Sequence, residues 1–164
     1  YFGYRATMLD RINTLREVSE HFNTDLYTTS NTNMLPAIHN KGIADTLTML
    51  PKIYHCSKIN LEITSKTFKS GMTQRLFDIM ASGGFVISNF QAEIPDFFIP
   101  GKDLVLYESI PDLLEKIYYY LSHEDERLQI AENGMKKATK YHNYNVRINQ
   151  MLKAVNDEIS NEFI

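Results

Sequence analysis

Apolar runs of strand type alternate with helical segments along most of the chain. Residues 59–63 alternate apolar and polar side chains, whereas residues 85–88 are apolar almost throughout, which is typical of a buried strand. Between these runs, a polar loop at 64–71 leads into a helix at 72–82 that two glycines end. This order predicts a βαβ unit with parallel strands.

The rest of the chain continues the same alternation. The positions of apolar residues predict helices at 5–22, 110–121 and 145–162. Pro51 fits the first turn of a short helix at 51–57, and Ser122 with Asp125 predicts the start of a helix at 122–141. Shorter signals predict strands at 24–28, 43–46 and 103–107, a loop at 29–42 and a short helix within 89–98. Strands separated by helices this regularly predict a doubly wound, Rossmann-like α/β domain, whose parallel sheet is covered on both faces. Ligands of that architecture bind beyond the carboxyl ends of the strands.

The helix at 72–82 has two different faces. Its apolar residues cover more than half of the circumference and predict a largely buried helix: Met72, Leu76, Phe77, Ile79, Met80 and Ala81. The remaining polar strip, continuous with Gly71, consists of Gln74, Arg75, Asp78 and Ser82. Two interpretations stay open, because the strip faces either a ligand cleft or solvent, where Arg75 and Asp78 form an ordinary helix pair.

The loop before this helix has the features of an anion site. Lys66 and Lys69 flank a run of hydroxyl side chains, and Ser70-Gly71 leads into a helix start whose first N–H groups have no partner within the helix. Such an end attracts anions, and Gly71 has no side chain to obstruct a phosphate oxygen. The pattern predicts a phosphate-bearing ligand at Ser70 to Thr73. The alternative is that Ser70 is simply the N-cap and the lysines lie in a solvated loop.

Length and composition exclude several classes of protein. The 164 residues fit one domain, and a net charge of −3 does not indicate a nucleic acid partner or an anionic membrane. The single cysteine, Cys56, rules out an internal disulfide framework and favours a reducing, cytoplasmic location. No apolar run approaches the ~20 residues of a transmembrane segment. The opening Tyr1-Phe2-Gly3-Tyr4 has no initiator Met and is typical of the end of a buried strand, so we expect a piece of a longer protein.

A family resemblance rests on residues 70–87, which read Ser-Gly-Met-Thr-Gln-Arg-Leu-Phe-Asp-Ile-Met-Ala-Ser-Gly-Gly-Phe-Val-Ile. This run resembles the signature sG-x-x-x-R-x-FE-x-x-AsGgf-x-i of CgeB-like glycosyltransferases in the GT-B superfamily. Flanking segments are similar to the family pattern in the same order, at 50–61, 100–103, 126–134 and 142–147. The resemblance covers roughly residues 40–152.

The resemblance implies the C-terminal, donor-binding half of a two-domain GT-B hexosyltransferase. Similar retaining enzymes carry two glutamates eight positions apart, one contacting the donor sugar and one the ribose, and those positions are Ser70 and Asp78 here. Aspartate keeps a carboxylate for ribose hydroxyls, whereas Ser70 removes the charge that faces the sugar. Arg75 occupies the position of the arginine in the family signature. Its planar guanidinium can pair with Asp78 or bind a phosphate. The residues expected to bind the nucleotide sugar are Lys66, Lys69, Ser70, Gly71, Met72, Thr73, Arg75 and Asp78.

The implied reaction is sugar transfer from a nucleotide diphosphate sugar to an unknown acceptor. The amides at Gly71 to Thr73, the helix dipole and nearby cations stabilise the leaving diphosphate. No metal or other cofactor is expected, and the five histidines lack a ligand spacing with Cys56 or with each other. We assign no catalytic residue, because the acceptor site and any base belong mostly to the missing N-terminal domain. The isolated chain is therefore expected to bind donor and to transfer nothing. The family setting implied is bacterial cell-surface or spore glycosylation.

Two further features have ordinary structural interpretations. Glu124-Asp125-Glu126 superficially matches the metal-binding Asp-x-Asp of the other glycosyltransferase class, but it follows a helix rather than a strand. Ser122, three residues before Asp125, predicts a capped helix start instead. His142 is interpreted as a packed residue at a helix junction.

Two other functional classes remain. The first is a non-catalytic interaction module that keeps the glycosyltransferase fold and in which Ser70 marks a lost site. The second is a free-standing domain of the flavodoxin or receiver type. The second is disfavoured, because no cluster of acids follows the early strands and the C-terminal helices are too many.

Overall fold

The fold alternates helices with short parallel strands, and the computed structural model describes residues 2–65 and 71–162. The helices are α1 Phe2–His21, α2 Leu50–Cys56, α3 Gln74–Ala81, α4 Ile94–Phe97, α5 Ile110–Ser122, α6 Glu124–Tyr141 and α7 Tyr144–Glu162. The strands are β1 Asp25–Leu26, β2 His39–Asn40, β3 Asn60–Glu62, β4 Val86–Asn89 and β5 Val105–Tyr107.

The strands pair in two parallel ladders. β4 lies between β3 and β5, with Ile87 opposite Leu61 on one side and opposite Val105 on the other. β1 and β2 form a separate pair. Because β3, α3 and β4 form a parallel βαβ unit, the predicted unit and the α/β class with parallel strands are both confirmed.

The larger ladder is covered on both faces. On one face, Ile87 and Val105 pack with α5, α6 and Val18 of α1. On the other, Val86 packs with α3, α4 and Ala138 of α6. Ile87 and Val86 are 0% and 1% exposed, so successive residues of β4 enter two different cores. This is the two-sided burial that the apolar run at 85–88 predicts.

Three sequence predictions about the first third of the chain are corrected. Residues 2–4 begin α1, so the prediction that Tyr1–Tyr4 end a strand is wrong for the described part of that segment. The strand predicted at 43–46 does not form: these residues are irregular, and Asp45 accepts from the main-chain N–H groups of Leu47 and Thr48. The loop predicted at 29–42 instead contains β2, which is too short to show an alternating pattern.

The start of α6 also differs from the prediction. Ser122 ends α5, and its hydroxyl donates to the carbonyls of Tyr118 and Tyr119 instead of capping α6. His123 is the N-cap and makes no side-chain cap bond. Glu124, Asp125 and Glu126 do lie in the first turn, as predicted, where the helix dipole favours their charge.

Gly134 brings α6 against the turn before β5. A Cβ atom at this position would lie 2.4 Å from the main-chain oxygen of Asp103 and 3.0 Å from Met80 Cε. We therefore expect Gly134→Ala to lower the free energy of unfolding by roughly 2 kcal/mol, since the helix must move off the turn. Urea denaturation measures this, with Thr139→Ala on the exposed face of α6 as the control. A Gly134→Ala variant as stable as the parent would contradict the close contact.

His142 lies between α6 and α7 in an aromatic cluster. Its ring centroid is 5.0 Å from that of Phe98 and 5.6 Å from that of Phe97. Arg147 Nη2 donates to His142 Nδ1 at 2.7 Å. Burial lowers the pKa of His142, and the charges of Arg147 and Lys137 lower it further. The interpretation of His142 as a packed residue is confirmed.

The lowered pKa of His142 predicts a pH dependence of stability. Below the pKa of about 6.5 for an unfolded histidine, the unfolded chain binds a proton that folded His142 does not bind. The free energy of unfolding should therefore fall as the pH decreases from 7.5 to 5.5, and His142→Gln should reduce that fall. Urea midpoints at several pH values measure it, with exposed His123→Gln as the control. An unchanged pH dependence in His142→Gln would contradict the assignment.

Candidate functional site

The candidate site lies at the carboxyl ends of β3 and β4. Asn89, the last residue of β4, clamps the chain that leaves β3: its Oδ1 accepts from Thr64 N at 2.7 Å, and its Nδ2 donates to Thr64 O at 3.4 Å. From α1, Arg11 donates through Nε and Nη2 to Ile63 O at 3.2 and 3.0 Å. These bonds hold the beginning of the loop after β3 in one position.

Glu62 is the buried carboxylate at this edge, with 1% of its surface exposed. One carboxylate oxygen accepts from Thr73 Oγ1 at 3.1 Å, and the other accepts from Arg75 Nη1 at 3.4 Å. A buried charge is tolerated when it is paired and hydrogen-bonded in this way. Glu62 therefore ties the end of β3 to the start of α3.

The start of α3 differs from the prediction. The helix begins at Gln74 with Thr73 as its N-cap, so Gly71 and Met72 precede it. Leu76 N donates to Thr73 Oγ1 at 3.3 Å, whereas Gln74 and Arg75 are first-turn residues whose N–H groups have no acceptor within the helix. The N–H groups of Gln74 and Arg75 are therefore available to an anion, and α3 begins at Gln74 and not at Met72 as predicted. Binding of a diphosphate by the amides at Gly71 to Thr73 stays a prediction.

Gly71 and Met72 lie directly before α3. Gly71 has φ +91°, a backbone conformation that explains the glycine, and among the described residues no atom lies within 4 Å of a Cβ atom placed there. Met72 is half-buried and packs against the core cluster under α3, which makes it a packing residue. The predicted residues Lys66, Lys69 and Ser70 lie outside the described residues.

Arg75 and Asp78 lie near each other, but the ion pair of Arg75 is with Glu62. The Arg75 side chain remains 58% exposed. Asp78 is half-buried; burial raises its pKa, and the nearby Arg75 charge partly offsets this. Tyr54 of α2 faces the same group of charges, and burial raises its pKa as well.

The residues of the polar strip predicted on α3 have different hydrogen-bond partners. Gln74 Nε2 donates to Tyr144 Oη of α7 at 3.0 Å. Ser82 Oγ donates to the main-chain oxygen of Asp78 at 2.7 Å, and His55 Nδ1 lies 3.0 Å from Ser82 O. Only Arg75 and Asp78 of the strip therefore remain as candidate ligand contacts, one turn apart on one face.

Sequence analysis missed Glu62 as a site residue. The alternation at 59–63 predicted a strand with one polar face, but Asn60 and Glu62 are both buried. A signal was present, because a strand inside a doubly wound sheet is covered on both faces, and a polar residue there needs an internal partner.

Two kinds of site are not found in the described part of the chain. Among residues 2–65 and 71–162, no three His, Cys, Asp or Glu side chains lie close enough together to hold a metal ion. None of the described helices combines the length and the hydropathy needed to cross a lipid bilayer.

Comparison with known proteins decides the family. The family model described as "Glycosyl transferase-like" matches residues 7–153. The chain belongs to this glycosyl transferase-like family. A relative from Aquifex aeolicus (strain VF5), described as an uncharacterized protein, is 28% identical over 90 residues, which cover 53% of this chain and 22% of that protein.

Solved structures show that this glycosyl transferase-like chain has a GT-B glycosyltransferase fold. Sucrose-phosphate synthase from Thermosynechococcus elongatus has a TM-score of 0.72 at 15% identity, covering 91% of this chain and 42% of that one. A glycosyltransferase from Rickettsia africae ESF-5 has a TM-score of 0.68 at 13% identity, covering 90% and 44%. TarM has a TM-score of 0.63 at 16% identity, covering 86% and 31%. The chain thus spans less than half the length of each of these four proteins.

The bonds of Glu62 predict its contribution to stability. Glu62→Gln should lower the free energy of unfolding by about 2 kcal/mol, because one of the two accepting oxygens becomes an NH₂ group and the charge that pairs with Arg75 is lost. Urea denaturation measures the change. Glu132→Gln, which removes an exposed carboxylate paired with Lys136, should leave the midpoint almost unchanged. Equal midpoints for the two variants would contradict the role of Glu62.

Proposed function

We propose that this chain is the donor-binding half of a glycosyltransferase that moves a sugar from a nucleotide diphosphate sugar to an acceptor. Membership of the glycosyl transferase-like family and the GT-B fold support a transferase. The position of the site beyond β3 supports a ligand at the carboxyl edge of a doubly wound sheet.

The observation that carries the proposal is the anchored but exposed guanidinium of Arg75. Glu62, 1% exposed, holds Nη1, while 58% of the Arg75 side chain remains open to solvent. The N–H groups of Gln74 and Arg75 begin α3 beside it. A fixed guanidinium next to free amides at the positive end of a helix suits a diphosphate, and it requires little reorganisation when charge develops on the leaving group.

Asp78 would contact the ribose of the same nucleotide whose diphosphate lies at Arg75. It lies one turn beyond Arg75 on α3 and is half-buried. A carboxylate there accepts hydrogen bonds from ribose hydroxyls while the diphosphate occupies the helix start. This division matches the family role carried over to Asp78.

The finer assignments belong to the same proposal. We infer a CgeB-like enzyme that transfers a hexose in bacterial cell-surface or spore glycosylation. We place it in the cytoplasm because its single cysteine, Cys56, fits a reducing compartment. A second domain would hold the acceptor and any base, so the isolated chain would bind donor without transferring sugar. The absence of a metal requirement stays a prediction from the family resemblance.

Calorimetric titration with uridine, guanosine and thymidine diphosphates tests the proposal. We expect weak binding of at least one nucleotide, and Asp78→Asn should weaken it about tenfold, since a charged acceptor of ribose hydroxyls is lost. Asp78→Asn should not lower stability, because burial disfavours the Asp78 charge in the folded chain. Asp125→Asn, exposed at the start of α6, is the matched control.

The outcomes separate a transferase from a non-catalytic module. The serine at position 70, where similar enzymes carry a glutamate, is the feature that favours the module. If no nucleotide diphosphate produces heat or a thermal shift, the donor site is lost and the module is the better description. If one binds but Asp78→Asn and Asp125→Asn behave alike, the ribose assignment is wrong.

A further inference from the structure

The segment at 142–147, whose sequence is similar to the family pattern, joins the end of α6 to the start of α7. Asn143 Oδ1 accepts from a main-chain N–H group in the first turn of α7 at 3.0 Å, and its Nδ2 donates to a main-chain oxygen of α6 at 2.7 Å. Arg147 of α7 donates to His142 Nδ1 at 2.7 Å. These three side chains therefore hold the beginning of α7 against the end of α6.

Tyr144, the first residue of α7, has a different environment from the rest of this segment. It is 72% exposed, and its ring contacts no other ring among the described residues. Its Oη atom accepts from Gln74 Nε2 at 3.0 Å. A phenol oxygen that accepts one hydrogen bond still carries its own proton, and no described residue accepts that proton. Tyr144 therefore presents a hydrogen-bond donor at the surface.

The bond from Gln74 fixes where this hydroxyl lies. Gln74 is the first residue of α3 and directly precedes Arg75. One side-chain hydrogen bond thus joins the first residue of α3 to the first residue of α7. The hydroxyl lies within the reach of one glutamine side chain from the N–H group to which the proposed function assigns the diphosphate.

The groups at the start of α3 favour an anion as the missing acceptor. The Arg75 side chain is 58% exposed and positively charged, and the first turn of α3 adds N–H groups and the positive end of the helix dipole. The buried carboxylate of Glu62 already accepts from Thr73 and Arg75. A hydroxyl bonds more strongly to a charged oxygen than to a neutral one, so a phosphate oxygen suits this position best.

We propose that Tyr144 is a further binding residue for the nucleotide sugar and that its hydroxyl donates to an oxygen of the diphosphate at the start of α3. Gln74 holds the phenol oxygen, which leaves the hydroxyl proton for the ligand. This contact rests on the proposed function, because it requires a diphosphate at α3. It also gives the segment at 142–147 a role in the site, since Asn143, His142 and Arg147 fix the helix start that carries Tyr144.

Calorimetric titration of the 164-residue chain with uridine, guanosine and thymidine diphosphates tests the contact. Tyr144→Phe should weaken the nucleotide that binds about fivefold to tenfold, since a donor to a charged oxygen is lost. The melting temperature should not change, because the bond between Gln74 and Tyr144 is exposed. Tyr118→Phe, a tyrosine of α5 that is 57% exposed, is the matched control and should leave the affinity unchanged.

Two further measurements separate a direct contact from an indirect effect. The nucleoside without its phosphates, followed through amide chemical shifts in NMR spectra, should bind the parent and Tyr144→Phe equally well. Gln74→Leu keeps the Tyr144 hydroxyl and removes only the group that orients it. This variant should therefore weaken the nucleotide diphosphate less than Tyr144→Phe does.

The contact is overturned if Tyr144→Phe binds the nucleotide diphosphate as tightly as Tyr118→Phe does, or if it weakens the nucleoside to the same degree. Equal losses in Tyr144→Phe and Gln74→Leu also overturn it, because the tyrosine then acts only through Gln74. If Asp78→Asn weakens the nucleotide and Tyr144→Phe does not, the donor site stands and the Tyr144 contact alone is wrong. If the parent chain binds no nucleotide diphosphate, the proposed function and this contact fail together.

Discussion

The arrangement of residues at the carboxyl ends of the strands depends on one constraint, a buried carboxylate in a sheet that is covered on both faces. Glu62 has no access to water, so its charge requires partners from the chain that follows β3. Thr73 and Arg75 provide them, and in doing so they fix where α3 begins and where its arginine points. Burial of one strand residue thereby positions the side chain that the proposed transferase needs at a diphosphate.

The same edge carries two regions of different electrostatic character. The start of α3 combines the dipole of a helix N-terminus with an exposed guanidinium, which favours an anion. A cleft beyond β4 and β5 is lined by the carboxylates of Asp10 and Glu108 instead. Asn89 lies between the two and bonds to the chain after β3.

Strong periodic signals predicted the elements that bury the most surface. The helix predicted at 72–82 forms as α3, and the run at 85–88 forms as β4, because each enters a core along its length. Predictions failed for a strand too short to show a period and for a side chain whose hydrogen-bond partner the sequence pattern does not reveal. β2 has two residues, which carry no period. Ser122 has the composition of a cap, but its hydroxyl bonds back into α5.

The order of apolar and polar residues by itself determined the parallel α/β class, the βαβ unit and the place of a polar helix face beside a glycine. These follow from local periods of two and 3.6 residues, which any chain shows before it folds. Only the tertiary structure decided that Glu62 is buried and that Arg75 pairs with it and not with Asp78. The reason is physical: the partner of a buried polar group is a residue distant in sequence, and packing of the whole sheet brings the two together.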